Sequence, residues 1–221
     1  MRLGTTSLSV TQPGRRRRPA AAGGVGGGLS LPARTFTFKY HIFGSAFSGL
    51  YLFWFRTYPS TQATTLWYQG SQTHNSSTDP WLTKTIDMSG RAGEQGYFTF
   101  VIRRGSGTAG DAALDEIKWV DGTSSITDYS GDTASRRGLW RHNPSNNSSA
   151  VGAAYGGHTY LLQTATNGRW SYDPGGGTPS GGTGPSSAAN GDPNKAYIYF
   201  ESSFGTAGTW TSLRPAGAIS I

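Results

Sequence analysis

The sequence predicts an all-β protein, a sandwich of two antiparallel sheets. Three observations lead there. Short runs alternate with a period of two: Phe36, Phe38 and Tyr40 are separated by Thr37 and Lys39, the pattern of a strand with one buried face. Aromatic residues make up 13% of the chain, with seven Trp, and charged residues only 14%, which is the opposite of a disordered composition. Glycine accounts for 33 of 221 residues, in clusters that separate the apolar runs, as turns do in a many-stranded sandwich. This length suffices for one large β core or two small ones.

Residues 1–28 read as a flexible basic arm. Thr6 to Thr11 has the composition of a short strand. It is followed by Pro13-Gly14, Arg15-Arg16-Arg17-Arg18, Pro19 and an Ala/Gly tract ending at Gly28. Such a segment cannot bury enough apolar surface to offset its own ordering entropy. Residues 1–78 hold eight Lys or Arg and no acid, whereas residues 79–221 hold 11 bases and 12 acids, so the net charge of +7 resides in the first third. Arg15, Arg16, Arg17 and Arg18 are therefore the candidate partner-binding residues of the arm, for phosphate or an acidic protein surface. The alternative is a solvated linker. Four charges without interleaved aromatics would not read a base sequence.

From Leu29 to Trp119, strand follows strand. Leu50 to Phe55 is apolar on both faces, as an inner strand covered on both sides is. Thr65 to Tyr68 is a short strand, Ser71 to Pro80 a polar loop, and Trp81 to Ile86 alternates again. Tyr97 to Ile102 and Ala113 to Val120 complete this half (residues 29–120). Asp121 to Ser135 is a polar connector and is expected to be loop. In the second half, residues 136–221, Trp140 marks the start, His158 to Gln163 and Arg169 to Tyr172 are strand candidates, and Asp173 to Pro193 is a Gly/Ser/Pro loop. Ala196 to Ser203 is a strand, and the chain closes on Leu213-Arg214-Pro215 and Ile219-Ser220-Ile221.

Two motifs carry a family resemblance. Tyr40-His41-Ile42-Phe43-Gly44 is an aromatic-His-x-aromatic-Gly corner, and Gly110-Asp111-Ala112-Ala113-Leu114-Asp115-Glu116-Ile117 follows it at a fitting distance, with Trp81 and Met88 between them. This half resembles the second half of a MAM domain, a concanavalin-like adhesion module. Residues 136–221 resemble that domain's first half: Trp140, the turn Thr183-Gly184-Pro185, the strand Tyr197-Ile198-Tyr199-Phe200-Glu201-Ser202-Ser203, then Leu213-Arg214-Pro215. The halves stand in reversed order. The resemblance implies a circularly permuted jelly-roll sandwich over residues 29–221, with Ile221 near Leu29, and a recognition scaffold rather than an enzyme. Exchange of the half beginning at Arg136 between subunits is the other way to complete the sandwich.

The resemblance also implies candidate sites. Asp111, Asp115 and Glu201 lie on the matching motifs, and some MAM domains hold a metal ion, calcium, near such acids. Calcium takes six to eight oxygens, and no contiguous loop here supplies them, so no resident cofactor is expected and these acids would otherwise cap turns. His41 matches the histidine of the aromatic corner and is expected to be structural. A glycosidase pair would need two carboxylates facing one bond, whereas Asp115 and Glu116 are adjacent on a strand and expected on opposite faces. His41, His74, His142 and His158 show no zinc-ligand spacing, and neither a nucleophile elbow nor a phosphate loop occurs. Trp67, Tyr68 and Trp170 are the aromatics expected on loops, where they could stack on a sugar or a partner.

The chain contains no cysteine, unlike the animal cell-surface members of that family, which excludes a disulfide framework and zinc–thiolate sites. No secretory signal is expected from the first residues, and no apolar run reaches about 18 residues, so no membrane partner is expected. These features lead us to expect a non-enzymatic virion structural protein, in particular of a bacteriophage: a capsid decoration or cement protein, or a component of a tail or fibre. Its partners would be other virion proteins or copies of itself. The alternatives are a carbohydrate-binding or host-adhesion module that takes a surface glycan, and a nucleic-acid contact through Arg15 to Arg18. A hydrolase has no positive motif.

Overall fold

The computed structural model describes residues 33–122, 126–128, 140–143, 150–155, 160–161, 163–164, 170–173, 182–203 and 206–221. Residues 31–221 form one unit and residues 1–30 another. The latter, including Arg15 to Arg18 and the whole of the predicted arm, lies outside the described residues. In chain order the elements are β1 (Thr35–Phe43), β2 (Phe47–Tyr58), β3 (Gln62–Gln69), β4 (Leu82–Asp87), β5 (Gln95–Arg104), β6 (Asp111–Val120), β7 (Ile126–Asp128) and β8 (Trp140–Asn143). They are followed by α1 (Ala150–Tyr155), β9 (Tyr160–Leu161), β10 (Gln163–Thr164), β11 (Trp170–Asp173), β12 (Tyr197–Phe200), β13 (Trp210–Pro215) and β14 (Ile219–Ser220).

These strands form two sheets packed face to face. Sheet A runs β10-β11-β12-β6-β1-β4, with β7 also on β6; sheet B runs β3-β2-β5-β13-β8-β9, with β14 also on β5. Every pairing between strands is antiparallel except β10 with β11. Strands of the second half enter both sheets beside strands of the first: β12 pairs with β6, and β13 pairs with β5 of the same chain. The core follows the alternation read in the sequence. Phe36, Phe38, Tyr40 and Ile42 of β1 face Leu50, Leu52 and Trp54 of β2 and Phe98, Phe100 and Ile102 of β5. The rings of Phe36 and Phe98 stack at 3.8 Å.

The two resemblance motifs lie side by side. β1 pairs with β6 so that His41 is opposite Ala113 and Phe43 opposite Asp111. Gly44 turns the corner at φ +123°, and a Cβ there would stand 2.6 Å from the Ala109 carbonyl oxygen, so only glycine fits.

Three details differ from the sequence reading. The connector Asp121 to Ser135 contains a strand, β7, which pairs with the last residues of β6, beyond the stretch that β12 covers. The predicted strand His158 to Gln163 divides: β9 joins sheet B and β10 joins sheet A. The helix α1, Ala-Val-Gly-Ala-Ala-Tyr, was not expected, because six small and apolar residues carry no readable helical period. A bulge in β6 explains a further point. Ala112 and Leu114 enter the core, and so do Ile117 and Trp119, which requires a change of phase between them. It falls where the β1–β6 register shifts, and Glu116 adopts φ +44° there.

Candidate functional site

The bulge changes the geometry of the acids. Asp115 and Glu116, expected on opposite faces, both make their contacts on the outer side of sheet A. Asp115 Oδ2 accepts from the Ala189 amide at 2.9 Å, and Glu116 Oε1 meets Lys39 Nζ at 2.9 Å. Lys39 alternates with the core residues Phe38 and Tyr40, which places it on the outer face.

Asp111 and Glu201 come together at the other end of β6. Asp111 is fully buried; its Oδ2 accepts from Thr183 Oγ1 and its Oδ1 from the Ser202 amide at 3.1 Å. Glu201, also buried, accepts from the Ser203 amide and hydroxyl. Burial, above all, raises the Asp111 pKa to about 7, and the Glu201 charge beside it adds to the rise. Asp115 lies four residues along the strand, about 13 Å away at ordinary strand rise. The three expected ligands therefore do not form one cluster. Among the described residues, no group of three His, Cys, Asp or Glu side chains is placed to hold a metal ion. What these acids do is hold loops: Asp111 ties 183 and 202 to the strand, and Asp115 ties 189.

His41 stacks on His74, with ring centroids 3.7 Å apart and planes 17° apart. His74 Nδ1 accepts from the Ile42 amide at 3.0 Å and Nε2 donates to the Pro80 carbonyl at 3.0 Å, which fixes the orientation of the ring. His41 is fully buried, and neither of its nitrogens makes a hydrogen bond of good geometry. Burial and the neighbouring His74 lower its pKa to about 3, against small opposing effects of the Ser76 backbone and Asp79.

The three candidate stacking aromatics are all on strands, not loops, and they part company. Trp170 on β11 is fully buried, edge-on to Phe200 at 6.0 Å, so it cannot stack on a ligand. Trp67 on β3 packs against the core, 5.3 Å from Phe38 and 5.0 Å from Tyr40. It points inward because β3 is itself bulged: Leu52 pairs with Trp67 and Phe53 with Thr65, so Leu66 and Trp67 both reach the core. Only Tyr68 is available, at 50% exposure, stacked on Tyr51 at 4.4 Å and flanked by Gly49 and Gly70.

The outward face of sheet B is the part that sequence reasoning missed. Outer faces of sandwiches are ordinarily polar. Here Tyr51, Phe53 and Phe55 of β2 alternate with the core residues and line up with Tyr97 and Val101 of β5 and Trp210 of β13. The helix α1 lies over the centre, where Ala154 packs with Phe53, Val101 and Trp210. Arginines sit among the rings: Arg103 over Trp210 at 5.5 Å and Arg214 over Tyr97 at 3.8 Å. The available signal was the unbroken apolar run of β2; the arginines could not be assigned to the same face without knowing that β13 pairs with β5.

Among the described residues, no helix is long and apolar enough to cross a membrane. Comparison with protein-family models, with curated proteins and with solved structures finds no match to this chain.

Proposed function

We propose that this chain is a non-enzymatic binding module, a structural protein of a virus particle that works through protein–protein contacts. One observation carries the reading. Around the part of the outward face of sheet B that α1 covers, Tyr51, Phe55, Tyr97, Arg103 and Arg214 keep part of their surface accessible, and aromatic and arginine side chains are the mixture enriched at the centre of protein interfaces, where lysine and acids are depleted. Other features support it. The acids of the motifs, Asp111, Asp115 and Glu201, receive donors from the chain's own loops, a scaffold's use of carboxylates. A sandwich without cysteine does not depend on an oxidising compartment.

The MAM-like, permuted jelly roll is part of the same proposal. Arg34 and Ile221 support it, because both bond to one turn: Met88 N donates to Arg34 O at 2.8 Å, and Gly93 N to Ile221 O at 2.6 Å. Both ends of the sandwich thus meet the same turn, which supports the permuted reading.

Quantitative mass spectrometry of purified particles from the source tests the reading. The chain is expected in many copies per particle; a chain found only outside particles overturns it. Light scattering with and without residues 1–28 then tells whether the arm holds copies together.

A second reading rests on Tyr68. Its exposed ring, stacked on Tyr51 beside two glycines, offers a flat surface to a saccharide. A glycan array with hits that vanish in Tyr68→Ala supports an adhesin; an array without hits removes it.

A further inference from the structure

We infer that Arg214 anchors a carboxylate-binding site on the outward face of sheet B, where a partner protein seats an Asp or Glu side chain. This rests on the protein-contact reading and gives the partner its chemistry.

Arg214 is half-buried on β13, and its guanidinium carbon lies 3.8 Å from the centroid of the Tyr97 ring. Phe55 pairs directly with Tyr97 and extends this aromatic floor. The guanidinium Nε is enclosed by protein and makes no hydrogen bond. Among the described residues, no carboxylate lies within ion-pair distance of Arg214. A cation held like this has given up water without receiving an anion in exchange, and burial accordingly holds its pKa below the ordinary value, with Tyr97 alone opposing.

Its neighbours sharpen the assignment. Leu213 pairs with Phe100, so the same register continued by one residue sets Arg214 beside Thr99. The Thr99 hydroxyl is likewise buried and without a partner. On the other side β8 sets Arg141 directly opposite Arg214.

The ligand class follows from shape and composition. A guanidinium stacked on a ring keeps its N–H donors in its own plane, a fork that matches a planar carboxylate with two parallel bonds. The surroundings are aromatic rather than a dense basic stripe, which sets this site apart from a phosphate-backbone track and favours a protein side chain.

The test observes the arginine Nε–Hε signals of the full chain by NMR during titration with a capped hexaglutamate peptide. The Arg214 signal is expected to shift and saturate, and Arg214→Gln to weaken the saturable binding at least tenfold. Arg214→Lys, which keeps the charge and loses the fork, is expected to weaken it nearly as much. Should the glutamine variant not fold, the wild-type signal decides by itself. Three results overturn the site: an Arg214 signal that stays put while arm arginines respond, an equal response to capped hexaglutamine, or an equal response to inorganic phosphate. Any of them removes the acidic partner only; the protein-contact reading stands or falls on the particle measurement.

Discussion

His41 and His74 lie face to face, 3.7 Å apart, with His74 held in place by the Ile42 amide and the Pro80 carbonyl. The pair packs the loop 71–81 onto the outside of sheet A, since Ile42 and His41 belong to β1 and His74 and Pro80 to that loop. A second proton on His41 would put a charge on a ring cut off from water, which burial disfavours, so the contact is made for the neutral state.

This predicts a particular pH profile. His41 is depressed to about 3 from 6.5, so the unfolded chain binds this proton first, and stability from His41 falls as pH drops below about 6.5. Asp111 is raised to about 7 from 3.8, so the native chain keeps that proton, and stability from Asp111 falls as pH rises from about 4 to 7. Each slope is about 1.4 kcal/mol per pH unit, and between about pH 4.5 and 6.5 the two oppose each other. Urea unfolding followed by tryptophan fluorescence should show a nearly flat profile for the natural chain in that window. His41→Asn should leave stability declining with rising pH, and Asp111→Asn should leave it declining with falling pH. Two variants with the same slope as the natural chain would refute both assignments.

Gly44 should tolerate no substitution. At φ +123°, with a Cβ site 2.6 Å from backbone oxygen of Ala109, Gly44→Ala combines strain with a clash that no side chain can relieve by moving. A loss of more than about 2 kcal/mol is expected in urea unfolding. Gly90, whose Cβ would meet nothing within 4 Å, is the control and should change little on replacement by alanine.

How far the sequence could be read depended on the range of the interactions. The alternation of β1 and the double-sided apolar run of β2 report local burial, and both strands formed as expected. The bulge in β6 was also written locally, because the core positions pass from Ala112 and Leu114 to Ile117 and Trp119; reading Asp115 and Glu116 as simple alternation overlooked that change of phase. Trp170 is different. Its composition-based environment was polar, and only pairing of β11 with β12 brings Phe200 over it. The Arg214–Tyr97 contact likewise depends on β13 finding β5 more than a hundred residues earlier, which no window of local pattern contains.

Glu94 is expected to matter more than its surface position suggests. Its carboxylate accepts from Trp54 Nε1 at 2.6 Å, Arg56 at 3.0 Å and Arg91 at 3.3 Å. Burial pushes its pKa up, but these three donors outweigh it and hold it below the ordinary value. Glu94→Ala leaves the indole N–H of fully buried Trp54 without an acceptor, and should cost about 1–3 kcal/mol by urea unfolding. Glu94→Gln keeps one acceptor for Trp54 and should cost less. Equal losses in the two variants would show that the ion pairs, not the indole, are what Glu94 supports.

The permuted order itself can be tested by undoing it. Arg34 and Ile221 both bond to the stretch between Met88 and Gly93, and Arg34 N also donates to Ser89 Oγ at 3.3 Å. A linker of about six residues, reaching roughly 20 Å, is ample to join Ile221 to Ala33 across such a turn. New ends can be opened between Asp128 and Trp140, which leaves β7 on β6 and β8 on β13. The rearranged chain retains every strand pairing and changes only loop closure, a matter of about 1 kcal/mol. It is therefore expected to show the tryptophan near-ultraviolet dichroism and cooperative unfolding of residues 33–221 in their natural order, at similar stability. The two chains differ in which half is made first and not in what the halves bury. If the natural order folds and the rearranged one does not, the two ends are not interchangeable with a through-running chain, and the permutation reading is wrong.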